Sequence, residues 1–530
     1  MSLHTVASLP HLLNQDGHRR PPHAVSRAGN VYRVLASSVL GVLVLAVVGA
    51  VLGPQWDPAP LTQPLQVQSS STAVTGAPSL HTYPVRTEVV TVQLDGTTVQ
   101  AQLSEPVGAP GPLPGVVFIH GAGTGKYAVA FRSQAAALAS AGVVAMVPDK
   151  RLDTYTTAHR DYVAMAADYE RSVQVLRAHA GVDPSRVGVY GESEGGWIAP
   201  VIAATDHQLA FVILASSPVV PPRQQAAFAS DNYLRNTGVP HGVFRAIPRA
   251  VGMTLPGGFE YVDFDVQPYQ QRMTQPVLVV YGTGDASMPV IQGAQQILAD
   301  TARAGNDAVT VRYYAGADHG LKVDGIVSAT FLQDMTGWVL GLPATASGVP
   351  QVAGAQPVQL YLAGPVPQPQ QLRDGNVVLL VVLGAGGLVL LGCLLVVGHR
   401  VGEAWTSRRS TRDRPAGARW PSGYARYLVA FGGGAILTVA GLVWYLLSVA
   451  RLAMDYQHNS VLVQGGWLAV RLAGMLVVVA GVLAVRRARA GRVPGSGPGV
   501  VRTAASWTVA TGGLVLLVVL AYWGVYQLGV

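Results

Sequence analysis

Five apolar runs constrain this chain more than any other feature: 34–52, 377–397, 427–449, 467–485 and 507–525. Each is close to the ~20 residues a helix needs to cross a hydrocarbon layer. Lipid offers a backbone no water to bond, so runs of this length fold there as helices. One run lies near the N-terminus and four lie in the last third, and a long segment of ordinary polarity separates them. That arrangement predicts a soluble domain held between membrane helices.

Charge is partitioned in the same way. Of the 36 Lys+Arg and 28 Asp+Glu in the chain, 17 and 22 fall in 81–343, which is net acidic. The other 19 basic and 6 acidic residues lie outside that segment, and all but Arg471 lie outside the apolar runs too. The basic balance therefore speaks of membrane orientation, and no nucleic-acid partner is expected. Arg19, Arg20, Arg27 and Arg33 precede the first run, which places the N-terminus in the cytoplasm. A cleaved signal peptide is the competing reading; an uncleaved anchor is favoured because the run is long and its basic preface extended. Arg400, Arg408, Arg409, Arg412, Arg414, Arg419 and Arg426 fill the loop after the second run. Arg486, Arg487, Arg489, Arg492 and Arg502 fill the loop after the fourth. Both loops are expected in the cytoplasm, with 81–343 outside. Arg471 lies inside the fourth run and reads as snorkelling to the outer interface beside Trp467, or as an intramembrane site. The single cysteine, Cys393, permits no intrachain disulfide.

Residues 53–80 and 344–375 are rich in Pro and Gln and read as flexible linkers. Within 81–343, a hairpin signal over 85–103 turns at Asp95-Gly96. Strand patterns at 114–119, 142–147, 186–190, 210–215, 276–281 and 309–314 then alternate with helical patterns. Such alternation implies a mostly parallel sheet with helices on both faces.

The stretch Val187-Gly188-Val189-Tyr190-Gly191-Glu192-Ser193-Glu194-Gly195-Gly196-Trp197 reads as strand, tight turn and helix start. Ser193 sits at the tip of Gly-x-Ser-x-Gly. A serine standing proud of a sheet needs a sharp turn, where side chains at Gly191 and Gly195 would strike neighbouring backbone. Asp285 follows the strand at 276–281, and His319 follows the strand at 309–314. Residues just past the carboxyl ends of parallel strands converge on one edge, so Ser193, Asp285 and His319 are expected together.

In that order these residues resemble the α/β-hydrolase superfamily, notably its dienelactone-hydrolase-like and serine-aminopeptidase-like branches. The matching pieces are His120-Gly121-Ala122-Gly123, Asp149-Lys150-Arg151, Asp183-Pro184-Ser185-Arg186-Val187, the Ser193 turn, and the turns at Asp285 and His319. The likeness covers about half of the chain and neither membrane part. It departs at Glu192 and Glu194, where His and Gln are common, and at Leu152, where Gly is common. The resemblance implies Ser193 as nucleophile, His319 as general base and Asp285 as its orienting acid. It implies backbone N–H groups of Gly121 or Ala122 and of Glu194 as the oxyanion hole. No cofactor or metal is implied. Asp318 is an alternative acid but adjoins the base. Glu192 reads as a solvated or loop-bonded acid before a reader of a substrate amine, and His120 as a shaper of the oxyanion loop.

Residues 219–275 form an insertion where this superfamily places lid elements. It carries Phe228, Tyr233, Phe244, Phe259, Tyr261, Phe264 and Tyr269, which would line an apolar pocket or form the insertion's own core. The expected architecture is thus a cytoplasmic tail (1–33), an anchor (34–52), a linker (53–80), an α/β-hydrolase domain (81–343), a second linker (344–375) and four membrane helices (376–530). The expected function is a multi-pass cell-membrane serine hydrolase acting on a small-molecule or lipid-like ester. Alternatives are an envelope acyltransferase, a peptidase, or a silent scaffold whose C-terminal helices contact a membrane-protein partner.

Overall fold

A computed structural model describes residues 27–528 apart from 124, 157–159, 408–419, 456 and 491–498. Most of the N-terminal tail, and the arginines at 408, 409, 412, 414, 419 and 492, lie outside the described residues. The strands are β1 (Val85–Gln93), β2 (Thr98–Pro106), β3 (Leu113–Ile119), β4 (Val144–Pro148), β5 (Val182–Glu192), β6 (Val212–Ala215), β7 (Val277–Gly282) and β8 (Val309–Tyr314). A small hairpin, β9 (Lys322–Val323) and β10 (Ile326–Val327), and a last strand, β11 (Val352–Gly354), follow. The helices are α1 (Arg27–Leu52), α2 (Arg132–Ala141), α3 (Tyr162–Arg177), α4 (Gly195–Thr205), α5 (Pro222–Asn236), α6 (Ala246–Val251), α7 (Gln267–Gln270), α8 (Val290–Arg303) and α9 (Ala329–Gly341). Four long ones complete the chain: α10 (Gly375–Ser407), α11 (Tyr424–Met454), α12 (Gly466–Ala490) and α13 (Val500–Tyr522).

The main sheet runs β1-β2-β4-β3-β5-β6-β7-β8-β11. β1 and β2 pair antiparallel and β2 meets β4 antiparallel; every later neighbour is parallel. Alternate residues of one strand enter opposite cores, as the period of two requires. Val117 and Ile119 of β3 join one apolar cluster, and Val116 and Phe118 join the other. Val279 and Leu278 of β7 divide in the same way. Both faces are therefore covered, which is why these strands read as near-continuous apolar runs. Local signals set the helix ends. The Asp161 carboxylate caps α3 by accepting from the N–H groups of Val163 and Ala164, and Gly142 closes α2 at φ 109°. This strand order, with its antiparallel entry and helices on both faces, is the α/β-hydrolase fold.

The two Pro/Gln-rich segments are not free tethers, as their composition suggested. They run beside each other: Leu61 N–H donates to Leu360 O at 2.9 Å, and Leu362 N–H to Ala59 O at 2.8 Å. The second segment also supplies β11, which pairs in parallel with β8. Gln68 and Ser69 of the first segment bond β11 from its other side. Proline removes donors but leaves carbonyls, so such a segment suits a sheet edge.

Five helices are long and apolar enough to cross a membrane, one N-terminal and four C-terminal. α1 reaches further back than the apolar run indicated, and α13 starts at Val500 and stops at Tyr522. Glycine lets the helices approach closely: a Cβ on Gly49 would meet the Ala521 carbonyl, and one on Gly512 the Ala385 carbonyl. Arg486 near the end of α12 bonds Asn30 near the start of α1, at 3.0–3.1 Å. Arg471 donates to the Gln527 carbonyl at 2.6 Å, just beyond α13.

Candidate active site

β5 delivers Ser193 to the carboxyl edge of the sheet. The serine takes φ 55°, a left-handed conformation uncommon for a residue with a side chain. Its N–H donates to Ala215 O at 3.0 Å, and its carbonyl accepts from Gly196 N–H at 2.7 Å as α4 begins. The flanking glycines make this turn sterically feasible. A Cβ on Gly191 would stand 2.5 Å from Gly195 O, and one on Gly195 would stand 2.6 Å from Ile119 O.

Asp285 leaves the end of β7 and His319 the end of β8. The Ser193 Oγ lies 2.8 Å from His319 Nε2, and His319 Nδ1 lies 2.9 Å from Asp285 Oδ2. The other Asp285 oxygen accepts from Ser287 N–H at 2.9 Å, Ser287 Oγ at 2.7 Å and Met288 N–H at 3.2 Å. Burial alone would raise the Asp285 carboxyl, but the His319 charge and these hydrogen bonds hold it below the usual carboxylate value. Burial likewise opposes the charged form of His319; the adjoining Asp285 outweighs it and pushes the imidazole up to about 9. Asp318 points elsewhere, accepting from the N–H groups of Gly320 and Lys322 at 2.9 Å each in its own turn. Glu192 accepts from the Tyr190 hydroxyl at 2.7 Å, so it is a loop-bonded acid; burial raises its carboxyl.

Gly121 approaches from the β3 loop, where an added Cβ would lie 3.1 Å from Ser193 Cβ. Ala122 beside it is exposed. The Glu194 N–H starts α4 and has no protein acceptor among the described residues. His120 is fully buried; its Nε2 sits 2.6 Å from Pro148 O, and burial lowers it to about 4. It therefore shapes the loop as a neutral ring.

Sequence reasoning did not find what holds this side together. The Lys150 ammonium donates to Gly121 O at 2.8 Å and to Glu194 Oε2 at 2.9 Å. Glu194 also accepts from Tyr155 at 2.9 Å, Arg160 at 3.0 Å and Tyr162 at 3.3 Å. Both members of the Lys150–Glu194 pair are almost wholly buried, and burial lowers the Lys150 pKa while Glu194 opposes the shift. The available signal was position: Asp149-Lys150-Arg151 follows β4 at the same carboxyl edge.

The insertion's aromatics answer neither alternative alone. Phe228 joins the main core, where Phe264 and Tyr269 pack against it. Tyr233 and Phe244 join an apolar cluster with Tyr445, Trp467, Leu520 and Tyr526 of the C-terminal helices and their ends. Away from this edge, Glu88, Glu105 and His179 could gather around a cation, but Arg86 already pairs with Glu105 at 2.8 Å.

Residues 129–342 match the model of the prolyl oligopeptidase family. No curated protein matches the sequence significantly. Among solved structures, a dienelactone hydrolase from Anabaena variabilis is 18% identical, with 48% of this chain and 97% of that one covered, at a TM-score of 0.35. Est1E from Butyrivibrio proteoclasticus is 17% identical over 47% and 95% of the two chains, at a TM-score of 0.33. The family match supports a serine hydrolase.

Proposed function

We propose that the chain is a membrane-anchored serine hydrolase that cleaves carboxylic esters through an acyl-enzyme. The observation that carries this reading is the unbroken hydrogen-bonded line from Ser193 through His319 to Asp285, set on a strained turn. Ser193 Oγ attacks the acyl carbon as His319 Nε2 takes its proton, and Asp285 holds the imidazolium that forms. The carbonyl oxygen becomes an oxyanion, which the N–H groups of Glu194 and of Gly121 or Ala122 stabilise. His319 returns the proton to the leaving alcohol; water then repeats the sequence to free the acid.

The five helices anchor the enzyme, with the hydrolase domain outside and the basic helix ends in the cytoplasm. Arg400, Arg426, Arg486 and Arg502 lie toward the helix ends remote from the insertion, which supports that orientation. A second reading, peptide-bond cleavage by the same residues, is favoured by the prolyl oligopeptidase match.

A membrane-impermeant fluorophosphonate applied to intact cells tests both parts. Ser193-dependent labelling, absent in Ser193→Ala, is the expected result. Labelling only after lysis would reverse the orientation, and no labelling of folded protein would sink the enzyme. Ester and peptide substrates supplied to the labelled protein then separate the two readings.

A further inference from the structure

We propose that Gln225 and Asn232 position Asp285, and that helix α5, which carries them, links this acid to the seating of the long C-terminal helices. The proposal rests on the serine-hydrolase reading above. It starts from two peptide groups behind the acid. The Ala286 carbonyl accepts from Asn232 Nδ2 at 2.7 Å, and the N–H of the same peptide unit, on Ser287, donates to Asp285 Oδ1 at 2.9 Å. The Ser287 carbonyl accepts from Gln225 Nε2 at 2.5 Å, and the N–H of that unit, on Met288, donates to the same Oδ1 at 3.2 Å. A peptide unit is planar, with its oxygen and hydrogen on opposite sides. Holding the oxygen therefore fixes where the hydrogen points, and a bond to the oxygen also polarises the N–H. Two side chains on one helix thus grip Oδ1 through two rigid planes and leave Oδ2 facing His319.

The spacing on α5 makes this a strut. Gln225 and Asn232 are seven residues apart, two helical turns, with Phe228 between them in the domain core. The far side of the helix, Ala227 and Leu234 with Tyr233 between the two faces, belongs to the apolar cluster of the long helices. The Tyr233 hydroxyl donates to the Gln457 carbonyl at 2.7 Å, in the segment between α11 and α12. One helix therefore touches the acid's loop on one side and the bundle on the other.

The charged groups that set the His319 proton affinity, against its burial, are Asp285, Glu192 and Asp318, and Lys322 acts on Glu192. None of them is altered by the variants below. The test uses full-length protein in lipid nanodiscs and a p-nitrophenyl ester. kcat is expressed per fluorophosphonate-labelled site across a pH series. Asn232→Leu/Gln225→Met keeps size and removes both donors. Asn232→Ala removes one donor without adding a charge, and serves if the double variant folds poorly.

The expected result is a fall in kcat of about fivefold per lost amide, the scale of one hydrogen bond. KM should stay within about twofold, because the ester contacts are intact. The ascending limb of the pH profile should move down as Oδ2 drifts from Nδ1. The bundle-side pair Tyr233→Phe/Leu234→Ala should shift the limb the same way. A variant that merely loses fold would lose labelled sites and leave the limb in place. An unmoved limb with unchanged kcat per site in the donor variants overturns the positioning role. An unmoved limb in the Tyr233/Leu234 pair overturns the link to the bundle. Wild-type protein without Ser193-dependent labelling would sink the hydrolase reading instead.

Discussion

Replacing Lys150 by methionine asks how much the oxyanion side of the site depends on one buried cation. Methionine has nearly the same length, so packing is largely kept and the change is electrostatic. Two bonds are lost, to Gly121 O and to Glu194 Oε2. Breaking a buried pair by deleting one partner costs about 3–5 kcal/mol when the other charge is left alone. Glu194 is not left alone, because Arg160, Tyr155 and Tyr162 still donate to it. The expected destabilisation is therefore about 2–3 kcal/mol, read from denaturant unfolding of the domain's signal. Deleting an oxyanion donor outright costs about 10²–10³ in kcat. Here the proposed donors stay but lose their common brace, so the expected loss is of the order of tenfold to a hundredfold in kcat, with little change in KM. Lys150→Met/Glu194→Gln removes both charges and should recover part of the stability lost by Lys150→Met. A Lys150→Met enzyme whose kcat per labelled site stays within about twofold of wild type would refute the bracing argument.

Other perturbations follow from the same geometry. In the proposed mechanism His319 acts as a base only when neutral, and its proton is held above the free-imidazole value by Asp285. kcat/KM should therefore climb with pH through the alkaline side of neutrality, and an ascending limb at or below about 6.5 would contradict the Asp285 pairing. Because the folded value is raised, the pair's contribution to stability is complete below the unfolded value and fades as pH passes about 9, which thermal unfolding across pH should register. Gly195→Ala puts a Cβ 2.6 Å from the Ile119 carbonyl and should abolish folded, probe-reactive protein; retained labelling would contradict the turn's geometry. With Cys393→Ser as background, His458→Cys should react with an impermeant maleimide on intact cells and Ser422→Cys only after permeabilisation; the reverse pattern would invert the orientation.

Strand and helix existence was legible wherever one period dominated the residues. β3, β4 and β7 are apolar nearly throughout because both faces of the sheet are covered, β8 is fully buried although it carries Thr310 and Arg312, and turn residues bound them. β11 was illegible: three residues inside a Pro/Gln-rich segment carry no period, and their pairing with β8 is purely tertiary. The grouping of Ser193, Asp285 and His319 at one edge followed from their places just past the carboxyl ends of parallel strands. Their supports did not. Lys150 reaches Glu194 across forty-four positions, and Gln225 reaches Ser287 across sixty-two, so no local pattern encodes either bond. The insertion's aromatics were ambiguous for a related reason. A phenyl ring on an amphipathic helix looks the same whether it faces a pocket, its own core or another helix.

That last ambiguity bears on why such a domain carries four further helices. An anchor needs only one span, and α1 already supplies a run of sufficient length. The C-terminal helices instead bury Tyr233, Leu234, Val243, Phe244 and Ile247 of the insertion, side chains that an isolated domain would expose to water. At about 25 cal/mol per Å² of apolar surface, covering them stabilises the insertion substantially. Cutting the chain before α10 would leave α1 as the anchor but change the domain itself. It would strip the support from α5, whose opposite face holds the carbonyls of Ala286 and Ser287. A truncated enzyme should label weakly and hydrolyse poorly even where its sheet persists. Full activity in a fragment ending before 375, still carrying α1, would show that the insertion keeps its shape without the C-terminal helices, and would remove the argument that they belong to the catalytic unit.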